Sequence, residues 1–138
     1  MTKVFLDTSY ALALSFQSDS FHEKANQLAQ WLDHERVFIV TTRAVLLEIG
    51  NALSKERYRR QAIRILNAIE AEELIEIVSV SDRLYASALT LFQSRPDKEW
   101  GLVDCVSCVA MRERGIEWAL TADRHFQQMG FRALLREA

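Results

Sequence analysis

The sequence predicts an α/β fold in which helices pack against a mainly parallel sheet of four or five strands. Short apolar runs recur along the chain, and segments with helical periodicity separate them. Continuous apolar runs are typical of parallel strands, because both faces of such a strand are covered. Strands that alternate with helices indicate right-handed crossover connections, which parallel sheets require.

The predicted strands are four clear apolar runs and one weaker candidate near the carboxyl end: 4–6, 37–40, 75–78, 118–120 and 131–135. Between these runs, apolar residues recur three or four positions apart, as on the buried face of a helix. The predicted helices are 8–16, 21–32, 43–53, 58–69, 82–92, 104–114 and a brief one after 123. This alternation covers the whole chain without a repeat or a linker.

Polar residues and glycines predict where several helices begin and end. Ser20 with Glu23 forms a capping-box pattern, and Thr42 and Asp123 can cap the helices that follow them. Gly115 is suited to end a helix, since glycine adopts the left-handed conformation easily.

Composition indicates an ordinary globular protein. The chain has 138 residues, of which 49% are hydrophobic and 26% charged, so one domain can bury a sufficient core. A net charge of −2 does not by itself indicate nucleic-acid binding, which would need a local basic patch or a metal ion. Two cysteines form no disulfide framework, so a reducing cytoplasm is expected. No apolar run reaches the length of a membrane span, and no signal-peptide pattern is present.

Four acids are predicted to meet at one edge of the sheet. Asp7 directly follows the first strand, and Asp123 lies just beyond the fourth. Asp104 begins a helix, and Glu48 lies one turn into another helix, from which its side chain leans back toward the helix start. Because each helix starts at the carboxyl edge of the preceding strand, all four carboxylates belong to the same edge, where ligands bind in open α/β sheets.

Such a cluster favours a divalent metal ion. Taken singly, Asp104 and Asp123 are explained as helix caps, and Glu48 as a solvated helix residue. Together, however, clustered carboxylates raise one another's pKa and need a cation to stay ionised. Oxygen ligands of this type suit Mg²⁺ or Mn²⁺, which can assist the hydrolysis of a phosphodiester.

The acids stand in four segments: Leu6-Asp7-Thr8-Ser9, Glu48 with Ile49-Gly50-Asn51-Ala52-Leu53, Leu102-Val103-Asp104, and Leu120-Thr121-Ala122-Asp123-Arg124-His125-Phe126. This ordered set resembles the PIN-domain family of metal-dependent ribonucleases, and is most similar to the VapC-type toxins of bacterial toxin–antitoxin pairs. The resemblance implies a single PIN-like nuclease domain over 1–138 with a three-layer α/β/α fold. It also implies Mg²⁺ or Mn²⁺ at the acids, endonucleolytic cleavage of RNA, an antitoxin partner and a homodimer.

Other residues are expected to support this site. The resemblance assigns Thr8 and Thr121 to small hydroxyl positions beside the acids. Ser107 lies three positions after Asp104 and would share its helix face. The candidate contacts to an RNA backbone are arginines near the rim or along one helix face: Arg43, Arg124, Arg57, Arg60 and Arg64. No histidine or lysine base is evident beside the acids. For His125, two residues after Asp123, a capping-turn or surface role is expected in preference to contact with a phosphate.

Two other functions are open. A phosphotransfer domain, either a haloacid-dehalogenase-type phosphatase or a receiver, also has an Asp after its first strand. The phosphatase needs an acid at position 9, where Ser9 stands, and a receiver usually has adjacent acids. A non-catalytic RNA- or protein-binding module of the same fold is the other alternative, but it would have no reason to cluster four carboxylates.

Overall fold

A five-stranded sheet, in which each strand is parallel to its neighbours, lies at the centre of the computed structural model, which describes residues 2–138. The strands are β1 (Lys3–Leu6), β2 (Phe38–Thr42), β3 (Ile75–Val78), β4 (Trp118–Leu120) and β5 (Arg132–Ala133). Their spatial order is β3-β2-β1-β4-β5. The chain therefore builds one half of the sheet outward from β1 and then returns to add the other half.

Helices fill the connections between the strands. They are α1 (Thr8–Ser15), α2 (His22–His34), α3 (Arg43–Ala52), α4 (Glu56–Ala71), α5 (Asp82–Ser94), α6 (Leu102–Glu113) and α7 (Arg124–Gln128), followed by a 3₁₀ turn at Leu134–Arg136. Within residues 2–138 no helix is both long and apolar enough to cross a lipid bilayer.

The main hydrophobic core surrounds the central strand. Val4, Phe5 and Leu6 are all buried, so both faces of β1 are covered, as the predicted α/β/α layering requires. On one face the ring of Phe5 lies 6.4 Å from that of Phe126 in α7, measured between centroids. A smaller second core forms where α5 packs on α6, and it includes the buried, free cysteines Cys105 and Cys108.

The predicted strands at 4–6, 75–78 and 118–120 are confirmed, with β1 one residue longer. The second strand begins one residue later than predicted and extends through Thr42. The hydroxyl of Thr41 explains how a polar residue is accommodated there, because it donates 2.8 Å to the backbone carbonyl of Leu6. The last strand is reduced to two residues, since the chain turns into the 3₁₀ segment.

Three predicted helix boundaries are confirmed and one is wrong. Thr42 accepts a hydrogen bond from the backbone N–H of Val45, Asp123 accepts one from the backbone N–H of His125, and Gly115 adopts φ 65° after α6. The capping box predicted at Ser20 does not form. Instead, α2 starts at His22, and Oδ1 of Asp19 accepts from the backbone N–H of Phe21 at 2.8 Å.

The strand order creates a crevice at the carboxyl ends of β1 and β4. The connection from β1 leads to β2 on one side, whereas β4 occupies the other side. In open parallel sheets such a reversal is where ligands bind, because the connecting segments diverge and leave space. The backbone N–H of Asp7 donates 3.2 Å to the carbonyl of Leu120, which ties the ends of these two strands together.

Candidate active site

Asp7 occupies the innermost position in the crevice. It follows β1 directly and precedes α1, and only 5% of it is exposed to solvent. Thr121, at the end of β4, donates 2.6 Å through its hydroxyl to Oδ2 of Asp7. The hydroxyl of Ser9 donates to the same oxygen at 3.2 Å and lies 3.0 Å from the hydroxyl of Thr121. Two hydroxyls thus orient a nearly buried carboxylate.

The environment of Asp7 disfavours its charge. Burial raises the pKa of Asp7 from 3.8 to about 6, the hydrogen bond from Thr121 opposes this rise, and the negative charges of Asp104 and Glu48 add to it. A buried carboxylate whose pKa approaches neutrality is typical of functional sites, where a cation or a proton completes the charge balance.

Glu48 reaches the same crevice from the helix after β2. It lies in the second turn of α3, and its Oε1 accepts a 2.7 Å hydrogen bond from the hydroxyl of Thr8. Partial burial raises the pKa of Glu48, and the carboxylates of Asp104 and Asp123 raise it further. Thr8 therefore sets the position of Glu48 beside Asp7, although the two acids come from different parts of the chain.

Asp104 and Asp123 are held by helix starts. Oδ2 of Asp104 accepts a 3.0 Å bond from the backbone N–H of Gly101, the residue that precedes α6. Asp123 caps α7 by accepting 2.8 Å from the backbone N–H of His125. Both acids serve as caps and also line the crevice, so the capping explanation and a functional one are compatible. Burial is the main reason that the pKa of Asp104 is raised.

His125 takes part in the expected capping turn, since its backbone N–H bonds to Asp123, and its ring also lies beside the acids. Its Nδ1 lies 3.3 Å from Oδ2 of Asp104 and 3.3 Å from Oδ1 of Asp123. The spacing of two residues from a capping Asp was visible in the sequence. The direction of the ring was not, since it depends on how α7 packs against α6.

The four acids line one open cleft of about 530 Å³. Its walls contain all four predicted acids together with neighbouring polar and small residues: Asp7, Thr8, Ser9, Leu12, Glu48, Asn51, Ala52, Asp104, Asp123 and His125. Ser9 and Asn51 belong to the sequence motifs, but the sequence assigns them no role. A hydroxyl two positions after the acid that ends β1 was the available signal for Ser9.

The remaining predicted supporting residues differ in position. Thr8 and Thr121 bond to Glu48 and Asp7 directly. Ser107 is completely buried in α6, and its hydroxyl has no hydrogen-bond partner within residues 2–138. It is not among the residues that line the cleft.

The predicted arginines lie outside the cleft. Arg124 is exposed on α7, next to Asp123 in sequence. Arg43 forms an ion pair with Glu70 and borders a separate apolar groove. Arg57, Arg60 and Arg64 are exposed on α4, and no acidic side chain pairs with them in the part of the chain from residue 2 onward.

The donor set in the cleft fits a divalent metal ion. Four carboxylates offer hard oxygen ligands of the kind that Mg²⁺ and Mn²⁺ prefer. One ligand atom each from Asp104, Asp123 and His125 lies within 4.8 Å of the other two, close enough to share an ion. Burial, with a smaller effect of the neighbouring acids, raises the pKa of Asp7, and a bound cation would oppose that rise.

Comparisons with known proteins agree with this geometry. Over 128 residues, the chain is 29% identical to a protein of Mycobacterium tuberculosis named 23S rRNA-specific endonuclease VapC20, covering 93% of this chain and 95% of that relative. The crystal structure of M. tuberculosis VapC20, described as a sarcin-ricin loop cleaving toxin, superposes with a TM-score of 0.83 and 26% identity. That superposition covers 94% of this chain and 97% of the other.

The family model described as PIN domain matches residues 4–132, a span that includes all four acids of the cleft and the whole sheet except Lys3 and Ala133. The chain belongs to the PIN domain family.

Proposed function

We propose that this protein is a Mg²⁺- or Mn²⁺-dependent endoribonuclease that hydrolyses RNA phosphodiester bonds in the acid-lined cleft, and that 1–138 acts as a single nuclease domain. The observation on which the proposal rests is the meeting of four carboxylates, Asp7, Glu48, Asp104 and Asp123, in one cleft. A binding module for RNA would gain nothing from this arrangement, because uncompensated carboxylates repel a phosphate backbone.

The four acids are the residues that would hold the ion. When bound, Mg²⁺ or Mn²⁺ would offset the charge of the carboxylates and of the substrate phosphate and lower the pKa of a water molecule. Without the ion, the cleft is negative and would exclude RNA. The proposed activity is therefore expected to depend strictly on a divalent metal.

The protein's own residues orient these ligands before substrate arrives. Thr121 and Ser9 fix one oxygen of Asp7, and Thr8 fixes one oxygen of Glu48. Backbone N–H groups at the starts of α6 and α7 hold the other two acids. Preorganised ligands of this kind reduce the reorganisation that would otherwise accompany each catalytic cycle.

The RNA backbone would be bound by positive charge outside the cleft. Asn51 and Ala52 form the wall at the end of α3, and α4 begins four residues later with the exposed Arg57, Arg60 and Arg64 on it. We propose that RNA leaving the cleft crosses this turn and meets these arginines. Arg124, next to Asp123, is the proposed contact on the other side.

For the substrate, we propose structured ribosomal RNA. The relative's name specifies 23S rRNA, and its crystal structure is described as that of a sarcin-ricin loop cleaving toxin. An open cleft with its acids at the base can accept a nucleotide presented by a folded loop. This substrate also places the proposed activity in the cytoplasm.

We further propose that the protein is the toxin of a toxin–antitoxin pair and forms a homodimer. An apolar groove of about 490 Å³ supports the dimer. It lies between α3, α5 and α6, and it includes Leu47, which is 70% exposed, and Tyr85, which is 46% exposed. Contiguous exposed apolar surface is a common feature of protein–protein interaction sites.

An RNA cleavage assay tests the proposed function. The purified protein is incubated with Mn²⁺ and two RNAs, an oligonucleotide with the sarcin-ricin loop and an unstructured one of the same composition. We expect cleavage of the loop at one position, and no cleavage in EDTA or by Asp7→Asn. Asp33→Asn, at an exposed position outside the cleft, should cleave as the wild type does. Cleavage that persists in EDTA or in Asp7→Asn would refute the proposal.

A further inference from the structure

His125 lies between two carboxylates, and a single hydrogen bond accounts for only one of the two contacts. Its Nδ1 is 3.3 Å from Oδ2 of Asp104 and also 3.3 Å from Oδ1 of Asp123. A single N–H points at one acceptor, and charge-assisted bonds between nitrogen and carboxylate oxygen are shorter, at about 2.7–2.9 Å. Equal distances from one nitrogen to two oxygens also suit three ligand atoms arranged around a common centre.

Building on the proposed function, we propose that His125 is a nitrogen ligand, so that Asp104, Asp123 and His125 form a mixed oxygen–nitrogen site that takes Mn²⁺ in preference to Mg²⁺. The inference concerns which ion the cleft selects, a property that the four acids alone would leave undecided, because carboxylates accept both ions.

The distances suit one six-coordinate ion. Adjacent ligands of an octahedral ion with bonds of about 2.1 Å are about 3.0 Å apart. The two distances of 3.3 Å are close to this value, and the three ligand atoms all lie within 4.8 Å of one another. Side-chain movements of a few tenths of an ångström would complete the arrangement.

The three ligands are already held in place. The backbone N–H of His125 donates 2.8 Å to Asp123, which fixes His125 at the first turn of α7. The backbone N–H of Gly101 holds Asp104 at 3.0 Å. The ring of His125 is 31% exposed, so an ion can reach it from solvent. The remaining acids, Asp7 and Glu48, are surrounded by hydroxyl groups and offer oxygen ligands.

Ligand chemistry determines the preference. Imidazole nitrogen binds first-row transition ions well, whereas Mg²⁺ takes oxygen ligands and retains its water. Replacing one oxygen ligand by a nitrogen therefore favours Mn²⁺ at this corner of the cleft. Substitution of the imidazole by an amide should reverse part of that preference without removing any carboxylate.

Electron spin echo spectroscopy of bound Mn²⁺ tests the inference directly. The full chain is stripped of metal with a chelator, mixed with an equimolar amount of Mn²⁺, and measured for modulation by a directly bonded nitrogen. We expect this modulation in the wild type, an altered pattern when histidine is isotope-labelled, and its loss in His125→Gln. His34→Gln is the matched control, since the side chain of His34 is 85% exposed and lies outside the cleft.

Calorimetry provides the second measurement. The His125→Gln substitution should weaken Mn²⁺ binding by about tenfold or more and change Mg²⁺ binding by less than about threefold.

If Mn²⁺ binds the wild type without nitrogen modulation, the inference is wrong and the proposed nuclease stands. If the modulation persists in His125→Gln, another histidine is the ligand and the inference is also wrong. Failure of the wild type to bind Mn²⁺ would contradict the proposed function as well.

Discussion

The hydroxyl of Thr121 donates a 2.6 Å hydrogen bond to Oδ2 of Asp7, although the two residues are 114 positions apart in the sequence. Both side chains are almost completely buried. The bond joins the ends of β1 and β4, and it is the principal interaction that opposes the effect of burial on the pKa of Asp7. It therefore links the stability of the sheet to the charge of the proposed site.

Removing that hydroxyl should raise the pKa of Asp7 further. In Thr121→Val the shape of the side chain is kept, but the main hydrogen bond that opposes the effect of burial is lost, so we expect the pKa of Asp7 to exceed the wild-type value of about 6. A carboxyl resonance of Asp7, followed by NMR in the metal-free protein, measures this change. The folded state should lose about 1–3 kcal/mol of stability, because a buried hydrogen bond is removed. Thr90→Val, at an exposed helix position, should change neither quantity. An unchanged Asp7 titration would contradict the role given to Thr121.

The stability of the metal-free protein should depend on pH through Asp7. Its pKa rises from 3.8 to about 6 on folding, so the folded state binds the proton more tightly. The associated stability is present below about pH 4 and is lost as the pH rises through about 6. The Asp7→Asn variant has no carboxyl group to ionise at this position, so it should not lose this stability as the pH rises. We expect the variant to be more stable than the wild type by up to about 3 kcal/mol at pH 8, and to show no such advantage at pH 4. Urea denaturation in EDTA at pH 4 and at pH 8 measures the stability of both proteins. A stability difference between variant and wild type that is the same at the two pH values would contradict the prediction.

Divalent metal should stabilise the folded protein, and Glu48 should contribute. With free Mn²⁺ at about 100 times its dissociation constant, a single site adds about 2.7 kcal/mol to the stability of the wild type. Glu48→Gln keeps a hydrogen-bond acceptor for Thr8 but removes the charge, so the thermal shift should shrink at equal Mn²⁺. Glu73→Gln, which is exposed on the protein surface, should behave as the wild type does. No shift for the wild type would instead favour a binding module.

The arginines on α4 should control the salt dependence of RNA binding. Replacement of Arg57, Arg60 and Arg64 by glutamine should weaken binding and reduce the slope of log affinity against log salt by about 0.7 for each phosphate that is no longer neutralised. The control replaces three arginines that already pair with acids, namely Arg83, Arg95 and Arg132. If both triple variants bind RNA equally weakly, the α4 surface has no special role.

The apolar groove should govern self-association. Leu47→Glu places a charge on its most exposed apolar residue, so we expect light scattering to report a monomer where the wild type forms a dimer. Ile63→Glu changes an equally apolar residue on α4 that is 54% exposed and does not line the groove. It should leave the oligomeric state unchanged. A wild type that is already monomeric would remove the basis for the proposed dimer.

Much of the fold follows from local patterns. Short apolar runs predict the strands at 75–78 and 118–120, and their bounds are confirmed, since each run pairs in parallel with a neighbouring strand. The capping box at Ser20 failed for a different reason. Asp19, one residue earlier, supplies the acceptor instead, and the choice between two adjacent polar residues depends on how α2 packs.

The side chains around the acids were less predictable. Family likeness predicts Thr8 and Thr121 as supporting residues, and each proves to bond an acid directly. Helical spacing predicts Ser107, yet its hydroxyl is buried away from the cleft lining. Such spacing identifies residues on the same side of a helix, but it does not establish what that side faces.

Residue types and their short-range spacing were enough to predict the alternation of strands and helices, the acid at the end of β1, and three further acids beside strand ends or helix starts. These features depend on spacing over a few positions. Long-range packing, in contrast, establishes that Thr121 and Ser9 share one oxygen of Asp7, that Thr8 holds Glu48, and that His125 faces Asp104 and Asp123. Each of these contacts requires the placement of β4 beside β1 or the packing of helices against one another, and both result from burial of apolar surface across the whole chain rather than from any local pattern.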